Sequence, residues 1–483
     1  MTRGLLAGLA EAVASGRTTS VALVTECLSR IERHNPAINA VVAVRSEAAR
    51  DDAAAIDARR DRGESLGPLA GIPCLVKDLE DVAGMVTTKG SVLLAADPAA
   101  ARDGLATQRL TAAGAVVVGK TNLPEFAAEG FTSNLLHGTT RNPWALSWSP
   151  GGSSGGASAA LTAGLAPIAT ATDGGGSIRI PAAFCGLVGL KPTRGIIGRR
   201  PIPDWLDFTT DGPLASSVAD ARLLLDVLAG PADGDPDSFE WQPRTMPPTP
   251  TVLLCAARTT DFGPLPEDVA NEFDQAAGRF AHLVRLPLRR LEPADISPAG
   301  NPDEDWFLIA SAEHVAALGR AWVLEHFEDL HPATQDFLAL GLDVDIDSYL
   351  AARRRRFEYS RALDELLGQG GLMLSPTVAV TGLPADGHLD ETGRLGAWPA
   401  DVYSTVLRNL TGHPAVSVPA GVSANGVPFG LQITAPRGAD SWLLDRAADW
   451  EDAYPWPLTA PGYEPFAVPT TTPSPTAIGK ALR

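Results

Sequence analysis

Cysteine is scarce in this chain, with Cys27, Cys74, Cys185 and Cys255 the only four in 483 residues. They lie too far apart for a zinc knuckle or a Cys-x-x-Cys redox pair. No disulfide framework and a reducing, cytoplasmic setting are the default expectation. Positive charge is short as well: 39 Lys and Arg against 57 Asp and Glu leave a net charge of −18. Nucleic-acid affinity comes from cations neutralising phosphates, so no nucleic-acid partner is expected. The one basic run, Arg353 to Arg356, sits in a helical-looking stretch followed by Asp364 and Glu365 and reads as a solvated helix face. Long apolar runs are missing too. Nothing approaches the roughly 18 residues that cross a bilayer, so no membrane partner is expected. Glu11 interrupts the apolar start, where Leu5, Leu6, Leu9 and Val13 recur at helical spacing, and an ordinary first helix is expected rather than a signal peptide.

With 45% hydrophobic and 20% charged residues, the chain has the material for a sizeable packed core. Ser20 reads as an N-cap, followed by an apolar stripe of Val21, Val24, Leu28 and Ile31 and closed by Pro36. Short β-branched runs then alternate with helical or Gly-rich segments: Ala40 to Val44, Ile72 to Val76, Ala115 to Val118 and Leu187 to Leu190. Further strands are predicted in TVLLC from Thr251, LMLSPT from Leu372, PAVSVPAGV from Pro414 and FGLQITA from Phe429. The expected fold class is α/β, a single large domain with a central mixed twisted β-sheet covered by helices on both faces. Pro231 to Pro250 and the tail from Pro469 read as surface segments.

Two Gly-rich turns stand out, GGSSGG at Gly151 to Gly156 and DGGGS at Asp173 to Ser177. Clustered glycine implies positive φ or close backbone approach, and each cluster abuts an ordered-looking segment, which argues against a flexible linker. A helix is expected from Ala157 to Leu165, its free N–H groups facing the glycines. Three glycines before a serine can aim backbone N–H groups at one point, the arrangement that stabilises the oxyanion of a tetrahedral intermediate.

Two formal matches nearby are refused. Gly114 to Thr121, GAVVVGKT, satisfies the P-loop string, but its Val116, Val117 and Val118 form a strand and Pro124 follows at once. Gly151 to Gly155 satisfies GxSxG, yet Pro143 and Pro150 make its approach a loop, whereas a nucleophile elbow needs a strand there. His413 is the nearest candidate for a Ser-His-Asp hydrolase or esterase and reads better as a loop or helix-end residue.

The stretch SPGGSSGGASAALTAGLAPIATATDGGGSIRIPAAFCGLVGLKPTRG, Ser149 to Gly195, closely resembles the defining segment of the amidase signature family. GPLAGIPCLVKD around Lys77, GAVVVGKTNLPEFA, NPW at Asn142, PAVSVPAG and PFGLQI fit as well, so the resemblance runs from Ser20 to Tyr454 and is weakest between Trp205 and Gly370. It implies one amidase signature domain over 1–468, with N-terminal helices 1–36, a signature core 66–200 and a variable substrate region 201–370, then a flexible tail 469–483. It also implies a Ser-cisSer-Lys triad: Ser177 as nucleophile, Ser153 carrying the cis peptide, and Lys77 as base. The 24-residue interval from Ser153 to Ser177 fits the family and favours Ser153 over Ser154. The backbone N–H groups of Gly174, Gly175, Gly176 and Ser177 would form the oxyanion hole, with Ser154, Asp173 and Arg179 in support. One departure is TDGGGS where many members have TDTGGS or TDIGGS. Gly174 thus replaces a β-branched residue, and a more mobile loop is expected.

The chemistry suits these residues. A serine hydroxyl needs a base, and an ordinary lysine is only about 0.04% neutral at pH 7. Burial that lowers its pKa by about three units makes about 30% neutral, and Ile72, Pro73, Leu75 and Val76 suggest such burial for Lys77. Ser153 would then hydrogen-bond both Lys77 and Ser177 and pass protons between them. The expected activity is hydrolysis of a small-molecule amide through an acyl-serine intermediate, without metal or other cofactor. The alternative is the glutaminase subunit of a tRNA-dependent amidotransferase, which acts beside partner chains. A homodimer is the family-level expectation. Trp205, Trp241, Trp306, Trp322 and Tyr403 are candidate pocket residues, although aromatics of this kind more often end in the core.

Overall fold

The computed structural model describes residues 4–258, 265–387 and 404–468; the 469–483 tail lies outside the described residues. Helix Ser20–Ile38 follows helix Leu5–Ala14, but its cap is Thr19, whose hydroxyl accepts the Ala22 N–H at 3.0 Å. Ser20 is instead the first helical residue and turns its buried hydroxyl to the Gly71 carbonyl. Pro36 does not close this helix. It lies in the last turn, where it forgoes the hydrogen bond to the carbonyl four residues back without ending the helix, and the stop comes at Asn39 in the left-handed region (φ 56°).

The longer strands fall where β-branched runs predict them. A four-stranded sheet has the order Val41–Val44, Val116–Thr121, Pro73–Lys77, Ile168–Ala169. Its central pair is parallel, with Lys77 opposite Thr121. A seven-stranded sheet runs Leu288–Arg290, Val252–Cys255, Gly371–Pro376, Pro428–Thr434, Ala415–Val422, Val188–Lys191, Leu214–Ala215, parallel at its first two pairings and antiparallel across the rest. A two-residue ladder joins Thr172–Asp173 to Thr210–Asp211. Pro73–Lys77, Val116–Thr121, Gly371–Pro376 and Pro428–Thr434 are buried at every position, as expected of apolar strands flanked by helices. Helix Ser20–Ile38 packs on the four-stranded sheet, and helices Arg179–Cys185 and Glu267–Val284 pack on the seven-stranded one. The fold is therefore the mixed α/β type. Segment 231–250 is irregular and largely exposed.

The basic run departs from expectation. On helix Ile346–Leu367, Arg353 pairs with Asp207 at 3.1 Å and Glu313 at 2.9 Å, Arg356 is buried against Asp207 at 2.7 Å, and Arg355 grips Asp305. Arg354 alone of the four is exposed. Acidic side chains distant in sequence supply the counter-charges, which a local reading of the run does not see. Among the described residues no single helix is long and apolar enough to cross a membrane.

Candidate active site

Lys77 ends its strand completely buried. Its Nζ lies 2.8 Å from Ser153 Oγ, 3.0 Å from Ser154 Oγ and 2.8 Å from Thr172 Oγ1, while its own N–H donates to Thr170 Oγ1. Burial pushes its pKa down to about 7, against the opposing pull of Glu80, Asp173 and Asp211. Hydroxyl partners accommodate the amine in either state, because they hydrogen-bond it neutral or charged.

Ser153 and Ser154 follow the first Gly cluster, and the Gly152–Ser153 peptide is cis. Ser154 flanks helix Gly155–Thr162 at its N-terminus and donates its backbone N–H to the Ser177 carbonyl at 3.3 Å, which ties the two Gly clusters together. The Asp173–Ser177 loop is fixed from outside. The Asp173 carboxylate accepts from the Gly176 N–H at 2.8 Å, from Arg179 at 2.8 and 2.9 Å and from Asn409 at 2.8 Å. Arg179 in turn donates to Thr405 O, Gln432 Oε1 and Asn409 Oδ1. Burial alone would raise the Asp173 pKa, but the Arg179 guanidinium holds it at about 2.

The loop carbonyls are also taken: Trp306 Nε1 donates to Gly174 O at 2.8 Å and Thr405 Oγ1 to Gly175 O at 2.6 Å. The N–H groups of Gly174, Gly175 and Ser177 have no hydrogen-bond partner among the described residues. Gly176 differs from expectation, since its N–H already serves Asp173; three free donors remain, not four. Gly176 also needs to be glycine, for its φ is 132° and a Cβ would strike Thr405. At Gly174 the face left bare by the missing side chain is filled by the Trp205 ring, against which a Cβ would collide.

The Ser177 hydroxyl, Ser153, Thr172 and Gly174 line one cavity of about 530 Å³. Lys77 and Ser153 are in contact, but the expected second bond, from Ser153 to Ser177, is not formed, and Ser177 Oγ has no hydrogen-bond partner among the described residues. Contacts of this kind often close only as the reacting groups assemble. Apolar side chains line the cavity as well: Leu94, Phe126, Trp205, Leu318 and Trp322. Trp306 backs this wall, edge-on to Trp205 at 5.5 Å. Trp241 packs elsewhere, and Tyr403 lies outside the described residues.

The refused motifs stay refused. Val116–Thr121 is a strand, and Lys120 is buried against Asp78 at 2.9 Å. His413 is buried beside Thr411 and 3.2 Å from Asp364, and neither of that pair lines the cavity. His314 does line it, but burial lowers its pKa to about 4 and its ring nitrogens make no hydrogen bond among the described residues. Among the described residues no cluster of three His, Cys, Asp or Glu is placed to hold a metal.

The sequence reading missed Thr172, Thr405, Asn409 and Gln432, as well as two carboxyls near Lys77, Glu80 and Asp211. Thr172 stands directly before Asp173 in the Gly-rich segment and could have been noticed as a third hydroxyl. The others carry no local signal.

A family model described as Amidase matches residues 22–444. An acylamidase of Rhodococcus erythropolis is 34% identical over 93% of this chain and 95% of its own. The crystal structure of a bacterial aryl acylamidase belonging to the amidase signature enzymes superposes with a TM-score of 0.83 at 27% identity, covering 94% of this chain and 96% of that one. A glutamyl-tRNA(Gln) amidotransferase subunit of Thermotoga maritima matches less well, with a TM-score of 0.72 at 27% identity over 93% and 94% of the two chains.

Proposed function

This chain belongs to the amidase signature family and is an amidase, a hydrolase of carbon–nitrogen amide bonds; from that premise we propose that it cleaves a small-molecule amide by way of an acyl-serine, with Ser177 as nucleophile, Ser153 as proton relay and Lys77 as base. The observation that carries this reading is a buried amine, pushed to a pKa of about 7, held 2.8 Å from the Ser153 hydroxyl at the wall of the cavity that Ser177 lines. At such a pKa about half of Lys77 is neutral at pH 7.

Neutral Lys77 takes the Ser153 proton as Ser153 takes that of Ser177, and Ser177 Oγ attacks the scissile carbonyl carbon. The oxyanion meets the free N–H groups of Gly174, Gly175 and Ser177. Lys77 returns the proton through Ser153 to the departing amine, and water then repeats the cycle on the ester. Ser154 and Thr172 keep the amine aimed, while Asp173 and Arg179 hold the turn.

The apolar side chains that line the cavity support an aryl or other flat apolar group on the substrate, the kind of group named for the aryl acylamidase. The glutaminase-subunit reading has the weaker match behind it. Residues 1–468 are read as one domain, and four buried, unpaired cysteines support a reducing, cytoplasmic setting. The test is a panel of aryl and alkyl amides offered to the chain purified alone. Hydrolysis without partner chains, lost in Ser177→Ala, is the expected result; hydrolysis undiminished in that variant removes Ser177 from the mechanism.

A further inference from the structure

The catalytic cavity has a second pole. Asp211 sits opposite Thr172 on the two-residue ladder, and the Thr172 hydroxyl touches Lys77 Nζ at 2.8 Å. Glu80 comes one turn after the lysine, its N–H donating to the Lys77 carbonyl at 3.0 Å. Both line the cavity with Ser153 and Ser177, and both wall a small void behind it. The Glu80 carboxyl oxygens are buried without a well-formed hydrogen bond, although the Thr170 hydroxyl stands near. Among the described residues neither carboxyl is in an ion pair.

The cations around them are engaged elsewhere. Arg109 is spent on the carbonyls of Gly230 and Pro231, Arg199 on Asp235, Lys120 on Asp78, and Lys77 on three hydroxyls. Two other acids of the same cavity are answered: Asp204 by Lys89 at 3.1 Å, and Asp81 by the Thr87 hydroxyl at 2.7 Å. Glu80 and Asp211 are thus two half-buried neighbouring carboxyls that no protein cation contacts in an ion pair among the described residues, although Lys77, Lys120, Arg109 and Arg199 act on them from a distance. Such an arrangement opposes full ionisation until a positive charge arrives.

We infer that Glu80 and Asp211 form a cation subsite at the acidic end of the catalytic cavity, and that the amide cleaved here carries a protonated amine or amidine close to its scissile bond. The inference rests on the amidase reading for the word substrate, but the subsite itself does not. A cation bound here also repels a proton on Lys77, so that a substrate of this class keeps the base neutral during its own cleavage.

The probe is benzylamine against benzyl alcohol, matched in shape and differing in charge, with binding measured by calorimetry. Wild type is expected to bind the amine at least about tenfold more tightly, and Glu80→Gln/Asp211→Asn to lose that preference. Burial raises Glu80 to about 8 and Asp211 to about 6. Ionised carboxyls hold the cation, so the amine preference should grow as pH climbs through that interval while binding of the alcohol stays level. Equal binding of the two probes by wild type overturns the inference, and so does a preference that survives in the double variant. Should the variant not fold, the wild-type comparison and its pH course decide. A chain that selects benzylamine yet hydrolyses no amide keeps the subsite and loses the amidase reading; one that hydrolyses amides with no amine preference does the reverse.

Discussion

At the scale of single residues, the burial of Lys77 bears on the pH course of the proposed mechanism and on stability. In the proposed mechanism the neutral amine is the working form, so kcat/KM is expected to rise with pH through about 7 and level off above it, which a pH–rate profile checks. The same burial appears in stability. An unfolded lysine titrates near 10.4, so below about 7 both states are protonated and the folded state bears the full penalty, on the order of 4 kcal/mol. The penalty shrinks as pH rises from there toward the unfolded value. Lys77→Met should therefore be inactive, and its stability relative to wild type should decline between pH 7 and pH 10, as read by urea denaturation at each pH. Gly174 makes a second prediction. Gly174→Val drives a side chain into Trp205 and should lower kcat/KM by about 10² or more. Adding Trp205→Ala should recover part of the loss, with a coupling of about 0.5–3 kcal/mol in a double-mutant cycle.

At the scale of elements, the Asp173–Ser177 turn works because other elements hold it. The Arg179 helix anchors the carboxylate, the 404–411 segment supplies Thr405 and Asn409, and strand Pro428–Thr434 supplies Gln432. Removing Arg179, as in Arg179→Met, leaves Asp173 as a buried, uncompensated charge and is expected to cost about 3–5 kcal/mol, measurable by denaturant titration. Trp306→Phe keeps the ring but drops the bond to Gly174 O. It should lower stability by about 0.5–1.5 kcal/mol and reduce kcat more than it raises KM, which steady-state kinetics separates. The longer strands were legible because buried β-branched runs announce themselves. Two-residue ladders such as Thr172–Asp173 with Thr210–Asp211 were not, since two residues carry no period. The Thr19 cap was missed by one position because Thr and Ser are both good caps and only the observed hydrogen bond chooses between them.

Across the whole molecule, the candidate site residues were readable where they crowd into Gly-rich turns, and the side chains that hold them were not. Lys77, Ser153, Ser154 and Thr172 meet although 95 positions separate the outermost pair. The resemblance brought the first three together in advance; no spacing rule did. Trp205 and Trp306 come from the least recognisable part of the chain, and their roles follow only from where the fold returns them. The Arg353–Arg356 run misled for a related reason: its partners Asp207, Glu313 and Asp305 lie 40 to 149 positions away.

The clamp on Asp173 has a consequence for how the protein is made. A ribosome releases the Ser177 turn from its exit tunnel long before it has synthesised Asn409 and Gln432, the side chains that secure Asp173 and Arg179. Nascent chains therefore pass through most of translation carrying the serine without the brace that shapes its surroundings. Hydrolytic competence is thus expected only with the last strands, and products truncated upstream of them are expected to be inert.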